Sequence, residues 1–418
     1  MVSRETLKER AEKYLDSIAD KVYEIGDALM DMPELGYKEF NTSEYVYNVL
    51  SAIAPHTEKG IAITGVKAVL KGRNHNANIC IMGELDAVIS PEHPNADSKT
   101  GAAHACGHNI QLANMLACAM TLKNADIMKH LDGDITFLAA PAEEFIDTQY
   151  RSRLKEEGKI TYLSGKQEMI KLGIFSGIDA AMMVHSQAGC PERKLFIGGS
   201  GLGFTAKKIK FIGKEAHAGG APHEGINALN AASAALNMIA LQRETFRDED
   251  KIRVHSIITK GGDSVNTVPA DVRMELYVRG ASESAIKSAE KKVDAAILGA
   301  AYGIGAKAEI TTLGSYAPLN QNKELSRIFA ENAKGLANEI CFGVDMIGST
   351  DVGDLCRVIP AIQPTIGGFC GGAHSKDFHA EDKYFTHIVP AKIMINTAID
   401  LLYNSAEKIS EIKRKEEH

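Results

Sequence analysis

The chain has 418 residues, 44% of them hydrophobic, enough for two domains with ordinary globular cores. A net charge of −7 with no basic stripe gives no footing for nucleic acid as a partner, and no apolar run reaches the length of a membrane span. Seven scattered cysteines, an odd number and several inside apolar runs, argue against a disulfide framework and for a reducing cytoplasm.

The first ten residues are charged and lack the apolar centre of a signal peptide. Residues 1–54 read as two amphipathic helices broken near Met32-Pro33-Glu34-Leu35-Gly36. From Gly60 to Leu138 the pattern runs strand, loop, helix, strand, which predicts an α/β layer around a mixed, mostly parallel sheet. Inside it, the strand-like run Ile79–Met82 precedes His104-Ala105-Cys106-Gly107-His108-Asn109, and a helix over Ile110–Leu122 follows, with Asn109 as its N-cap. The charged stretch Thr148–Met169 is longer than a simple loop needs and reads as a surface helical insertion, or as a wall of a substrate pocket.

From Gly201 the texture changes. Strand Phe204–Phe211, helix Ile226–Phe246, strands Ile252–Thr259 and Val272–Val278, helix Ser282–Tyr302 and strand Lys307–Thr312 give the order β-α-β-β-α-β of a ferredoxin-like α+β domain. The predicted organisation is a catalytic domain in two parts, residues 1–200 and 315–418, with an inserted domain at 201–314 and hinges near Gly201 and Gly314. The Ser405–His418 run reads as a charged helical end with a solvated face.

Three strand-like runs end in reactive residues: Ile79–Met82 leads to Asp86, Ile135–Leu138 to Glu143 and Glu144, and Ala180–Val184 to His185. Sites in open parallel sheets form beyond the carboxyl ends of the strands, so these three ends are expected to converge. A lone Cys is more often a small buried hydrophobe and a lone His a satisfied polar residue. Convergence tips the balance. Cys106 and His108, one residue apart in a turn that opens a helix, can aim a thiolate and an imidazole at one point, a ligand set for a borderline-soft divalent metal. Beside such a metal, one carboxylate of Glu143-Glu144 can bind it while its neighbour acts as general base.

Further candidates lie downstream. His374 sits in a Gly-rich turn, with His379 as its competitor, and Asp351 in Gly348–Asp354 is a carboxylate able to support a ligand. His217 and Asn266, in the inserted domain, are donors suited to an oxyanion or a substrate carboxylate. Competing motifs fail: Gly198-Gly199-Ser200-Gly201-Leu202 lacks the last Gly of a nucleophile elbow, and the Gly199–Gly203 cluster does not open a helix after a strand.

Taken together, Met32–Gly36, Glu84–Ala87, His104–His108, Pro141–Glu144, His185, Ala216–Ala218, Asn266 with Pro269, and His374-Ser375 resemble the aminoacylase, hippurate hydrolase and aminobenzoyl-glutamate hydrolase group of the M20 metallopeptidases. The resemblance implies a catalytic domain carrying two metals and a lid domain that also dimerises. It makes Cys106, His108, Glu144, His185 and His374 the metal ligands and Glu143 the general base and acid. His217 and Asn266 become lid residues that reach substrate, often across the subunit interface, and Asp86 an orienting residue near the metal. The implied cofactors are two divalent ions, Zn²⁺ or Mn²⁺ first, with Ni²⁺ or Co²⁺ as alternatives.

Two departures stand out. Asn109 and Gln111 replace the commoner Asp and His, and Val88-Ile89 replaces Leu-Pro after Asp86-Ala87. His104–Asn109 and Gly348–Asp354 look more like the aminobenzoyl-glutamate utilisation and dipeptidase-like branch. The expectation is a cytoplasmic homodimeric amidohydrolase acting on small N-acyl or N-aroyl amino acids or dipeptides, with no nucleic-acid or membrane partner. A carboxypeptidase on longer peptides, and a non-catalytic metal-binding or amino-acid-binding protein, are the alternatives.

Overall fold

A computed structural model describes residues 2–416, which divide into two compact units. The larger holds residues up to Ser200, Asn320–Asp345 and Asp354 onward; the smaller holds Gly201–Leu319 and Met346–Gly353.

The larger unit is built on a six-stranded sheet in the order Glu58–Ile61, Gly65–Leu70, Asp134–Ala140, Asn78–Glu84, Ala180–Met182, Ala361–Ile362. The last four strands are parallel and the first two run antiparallel at one edge. Asn78–Glu84 and Asp134–Ala140 are both buried along nearly their whole length, as strands covered on two faces must be. One cover is the helix His108–Asn124, apolar around most of its circumference and therefore buried on nearly every side. Val389–Leu402 is buried at all of its positions and packs against it.

Several boundaries differ from the sequence reading. The N-terminal segment forms three helices, Arg4–Ser17, Ala19–Met30 and Phe40–Ile53, because the chain breaks at Ile18 as well as beyond Met30. The N-cap of the central helix is Gly107, not Asn109; its φ of +84° is a conformation that side chains disfavour, and Asn109 instead donates to the Gly26 carbonyl at 3.1 Å. The C-terminal helix Glu407–Glu416 is not wholly solvated, since Ile409 and Ile412, one turn apart, join the core. Among the described residues no helix is long and apolar enough to cross a membrane.

The smaller unit is a four-stranded antiparallel sheet in the order Arg253–Lys260, Asp271–Gly280, Gly203–Ile212, Lys307–Tyr316, covered by helices Ala228–Leu241 and Glu283–Ile304. The helices bury Ala231, Ala235, Ala289, Val293 and Ala296 over Ile209, Met274 and Val278. Small residues there let helix and sheet backbones approach closely. The boundary falls at Leu319 rather than 314, because Gly314 pairs with Ala206 inside the ladder and pairing continues to Tyr316. The strap Met346–Gly353 belongs here too: Leu202 N donates to Gly348 O at 3.1 Å, and Arg279 donates to Ser349 Oγ at 2.6 Å.

Candidate metal centre

The parallel strands Asn78–Glu84, Asp134–Ala140 and Ala180–Met182 end at one edge of the sheet, with Glu84 opposite Ala140. Beyond those ends the chain turns sharply. Ala142 sits at φ +52°, a strained value for a residue with a side chain. The turn is held by Glu39, whose carboxylate accepts from Ala142 N at 2.8 Å, and by buried Arg151, which donates to the carbonyls of Ala142 and Leu163. Glu143 and Glu144 follow directly.

Cys106, His108 and His185 place one ligand atom each within 4.8 Å of the others, and so do Cys106, Glu144 and His374. The thiol is common to both triads. Cys106 Sγ lies 3.5 Å from His185 Nε2, and Glu144 Oε1 lies 3.1 Å from His374 Nε2. His374 stands at φ +62° and is anchored by its own N–H, which donates to the Ala105 carbonyl at 2.8 Å. The competing His379 is not in either triad.

The imidazoles are oriented from behind. His108 Nδ1 donates to the Asp86 carbonyl at 2.8 Å, with the Asp86 carboxylate 3.6 Å away, and His185 Nδ1 donates to the Ser186 carbonyl at 2.9 Å. Both rings thereby present Nε2 to the cluster. The other Asp86 oxygen accepts from Glu144 N at 3.0 Å, so one buried carboxylate steadies two candidate ligands.

A third group sequence reasoning missed. Glu84, His108 and Glu143 also bring ligand atoms within 4.8 Å of one another. Glu84 is fully buried, bonded to Lys166 Nζ at 2.5 Å and to Gln111 Nε2 at 2.9 Å. Its Oε2 lies 3.1 Å from His108 Nε2, yet that nitrogen has no well-directed hydrogen bond. The insertion read as a surface feature, Thr148–Met169, therefore contributes two of the most buried cations, Arg151 and Lys166. The available signal was Glu84 itself, a carboxylate closing an otherwise apolar strand.

Burial raises the Glu84 carboxyl, but Lys166 and His108 outweigh it and hold it at about 2. Burial likewise raises Glu144, and His374 pulls it down to about 2. Burial and Glu144 raise the Cys106 thiol, while His185 and His108 bring it to about 6. Hydrogen bonds donated to Cys106 and Glu144 push His374 up to about 11. Anionic sulfur and carboxylate thus favour the protonated form of His108, His185 and His374, each raised above the ordinary imidazole value. A thiolate, three imidazoles and a carboxylate around an orphaned buried nitrogen fit divalent metal ions, whose binding would release those protons.

In the smaller unit, His217 Nδ1 accepts from Gly219 N at 3.2 Å and Gly220 N at 2.9 Å, which leaves the proton on exposed Nε2. Its segment is bridged to Asn266: Ala218 N donates to the Asn266 carbonyl at 2.8 Å, and His217 pairs with Thr267. Asp351 is buried within the same unit.

The model of peptidase family M20/M25/M40 matches residues 80–404. The chain belongs to this family. Its members hydrolyse amide and peptide bonds with metal ions, and so does this protein. Among curated relatives, a human Xaa-Arg dipeptidase is 25% identical over 96% of this chain and 89% of its own length. A thermostable carboxypeptidase of Saccharolobus solfataricus is 28% identical over 76% of this chain and 78% of its own. One subunit of the p-aminobenzoyl-glutamate hydrolase of Escherichia coli is 31% identical over 59% of this chain and 55% of its own. The same fold occurs in a dinuclear metal-binding M20 peptidase from Bacillus subtilis, with a TM-score of 0.69 and 21% identity over 93% of this chain and 99% of that one.

Proposed function

We propose that this protein hydrolyses the amide bond of a small N-acyl or N-aroyl amino acid, or of a dipeptide, at the cluster around Cys106. The observation that carries the reading is the position of Glu143, whose carboxylate shares a 4.8 Å group with His108 beside the two donor triads. A site that only stores metal or binds an amino acid has no use for a base there. Cys106, His108, Glu144, His185 and His374 would hold two divalent ions, Zn²⁺ or Mn²⁺ first. When bound, such ions lower the pKa of water to about 7 and polarise a carbonyl.

Glu143 takes a proton from the attacking water and returns it to the leaving amine. Asp86 keeps His108 and Glu144 aimed at the cluster through its contacts with each. His217, with its proton fixed on Nε2, is the donor for the oxyanion that forms on the carbonyl, and the Asn266 amide is the donor for a substrate carboxylate. The smaller unit is then a lid, and in a cytoplasmic homodimer it supplies His217 across the interface. The dipeptide reading draws on the Xaa-Arg dipeptidase, which aligns with 96% of this chain.

The test is a panel of N-acetyl amino acids, aminobenzoyl-glutamate, dipeptides and extended peptides, with added Zn²⁺ or Mn²⁺. The small substrates should be cleaved, whereas cleavage that persists on long peptides would favour a carboxypeptidase. Glu143→Gln should keep its metal and lose about 10²–10⁴-fold in turnover. Near-normal turnover in that variant would reject the assigned base.

A further inference from the structure

We propose that the hairpin carrying His374 holds a divalent-cation site of its own, formed by Cys370, His379 and Glu381 and suited to zinc. The strands Phe369–Cys370 and His379–Ala380 pair antiparallel, with Cys370 directly opposite His379. Residues two apart on a strand share a face, so Glu381 projects to the same side as His379. Glu381 N donates to the Gly368 carbonyl at 2.8 Å, which extends the ladder to a position where Glu381 faces no opposing side chain.

One sulfur, one ring nitrogen and one carboxylate oxygen of these residues lie within 4.8 Å of one another. His379 Nδ1 donates to the Asp377 carbonyl at 2.8 Å, which fixes the tautomer and turns the Nε2 lone pair outward, the backing that ligating imidazoles have. His379 Nε2 lies 3.4 Å from Glu381 Oε2. That separation is long for a hydrogen bond, but it is the edge of a tetrahedron whose metal bonds are about 2.0–2.1 Å. Thiolate, imidazole and carboxylate together select zinc over the hard cations, and three protein ligands leave one position for water. The cations on or beside the hairpin have partners of their own: Lys376 with Glu92, Lys383 with Asp27, and Arg193 with Asp382. His379 and Glu381 are 58% and 60% exposed, so an ion enters from solvent without opening the fold.

The hairpin loop between these strands carries His374 at its strained φ of +62°. An ion at the base ties both ends of that loop together and braces the histidine. The bracing role rests on the reading of His374 as a ligand; the site itself does not.

The experiment is zinc equilibrium dialysis with elemental analysis on the full-length protein and on Cys370→Ser, His379→Ala, Glu381→Gln and Cys106→Ser. Each hairpin variant should bind one zinc fewer per chain than wild type. Because His379 and Glu381 are exposed, their variants stay informative if Cys370→Ser folds poorly. Unchanged zinc in His379→Ala and Glu381→Gln would overturn the proposal. Should those two lose a zinc while Cys106→Ser loses none, the hairpin site stands and the reading of the main cluster fails.

Discussion

The two ends of the candidate centre are built on opposite principles. At the inner end, Glu84 and His108 are fully buried and are met by Lys166, Gln111 and Asp86, so each charge has fixed partners. At the outer end, His374 is 48% exposed and hangs on a strained loop, with Glu144 as its contact. The inner end is a rigid electrostatic frame whose desolvated charges cost stability unless every one is matched. The His374 side of the outer end is open to solvent, which screens its charge. A frame fixed on one side and open on the other lets a site bind ions without giving up its geometry.

The comparison can be broken first at Lys166. Lys166→Met leaves Glu84 buried without its partner and should cost about 3–5 kcal/mol in denaturant unfolding, whereas Lys166→Met with Glu84→Gln should recover much of it. Unchanged stability in the single variant would show that the inner end is not a matched frame. An acid titration sharpens the contrast by isolating the scaffold. Burial lowers His387, on the helix Lys383–His387, to about 4, so it stays neutral in the fold while the unfolded chain takes up a proton near 6.5. Below that value the unfolded state binds more protons, so stability falls as pH drops from about 6.5 to 4, by about 3 kcal/mol for this group. His387→Asn should flatten that part of the acid limb in urea unfolding at pH 7 and pH 4.5. The smallest effect belongs to the outer end: with His374 half exposed, His374→Ala should cost metal-free stability about 1 kcal/mol while lowering metal affinity.

Much of this was legible in the chain because it rests on local rules. Continuous apolar runs and their polar ends marked the strands that lead to Asp86, Glu143 and His185, and the ladder of the smaller unit was readable to within a few residues because turns and caps such as Ser282 mark its elements. Ser282 accepts from Ala285 N at 3.2 Å, as an N-cap does. What escaped depends on contacts far apart in sequence. Lys166 lies in a charged stretch, and charge is a property of the residue whereas burial is a property of the fold; its partner Glu84 is 82 positions away. The strap Met346–Gly353 joins a unit whose ladder ends at Tyr316, and no local pattern announces such a return. Ile409 and Ile412 did carry a signal, a three-residue spacing, which the surrounding charges obscured.

The most direct test is a crystal grown with Mn²⁺ and measured at its absorption edge. Two anomalous peaks bounded by Cys106, His108, Glu144, His185 and His374, with the Glu143 carboxylate facing them, are the predicted result. No peaks among those five side chains, or a Glu143 turned away from the ions, would contradict it; a further peak at Cys370, His379 and Glu381 belongs to the hairpin site.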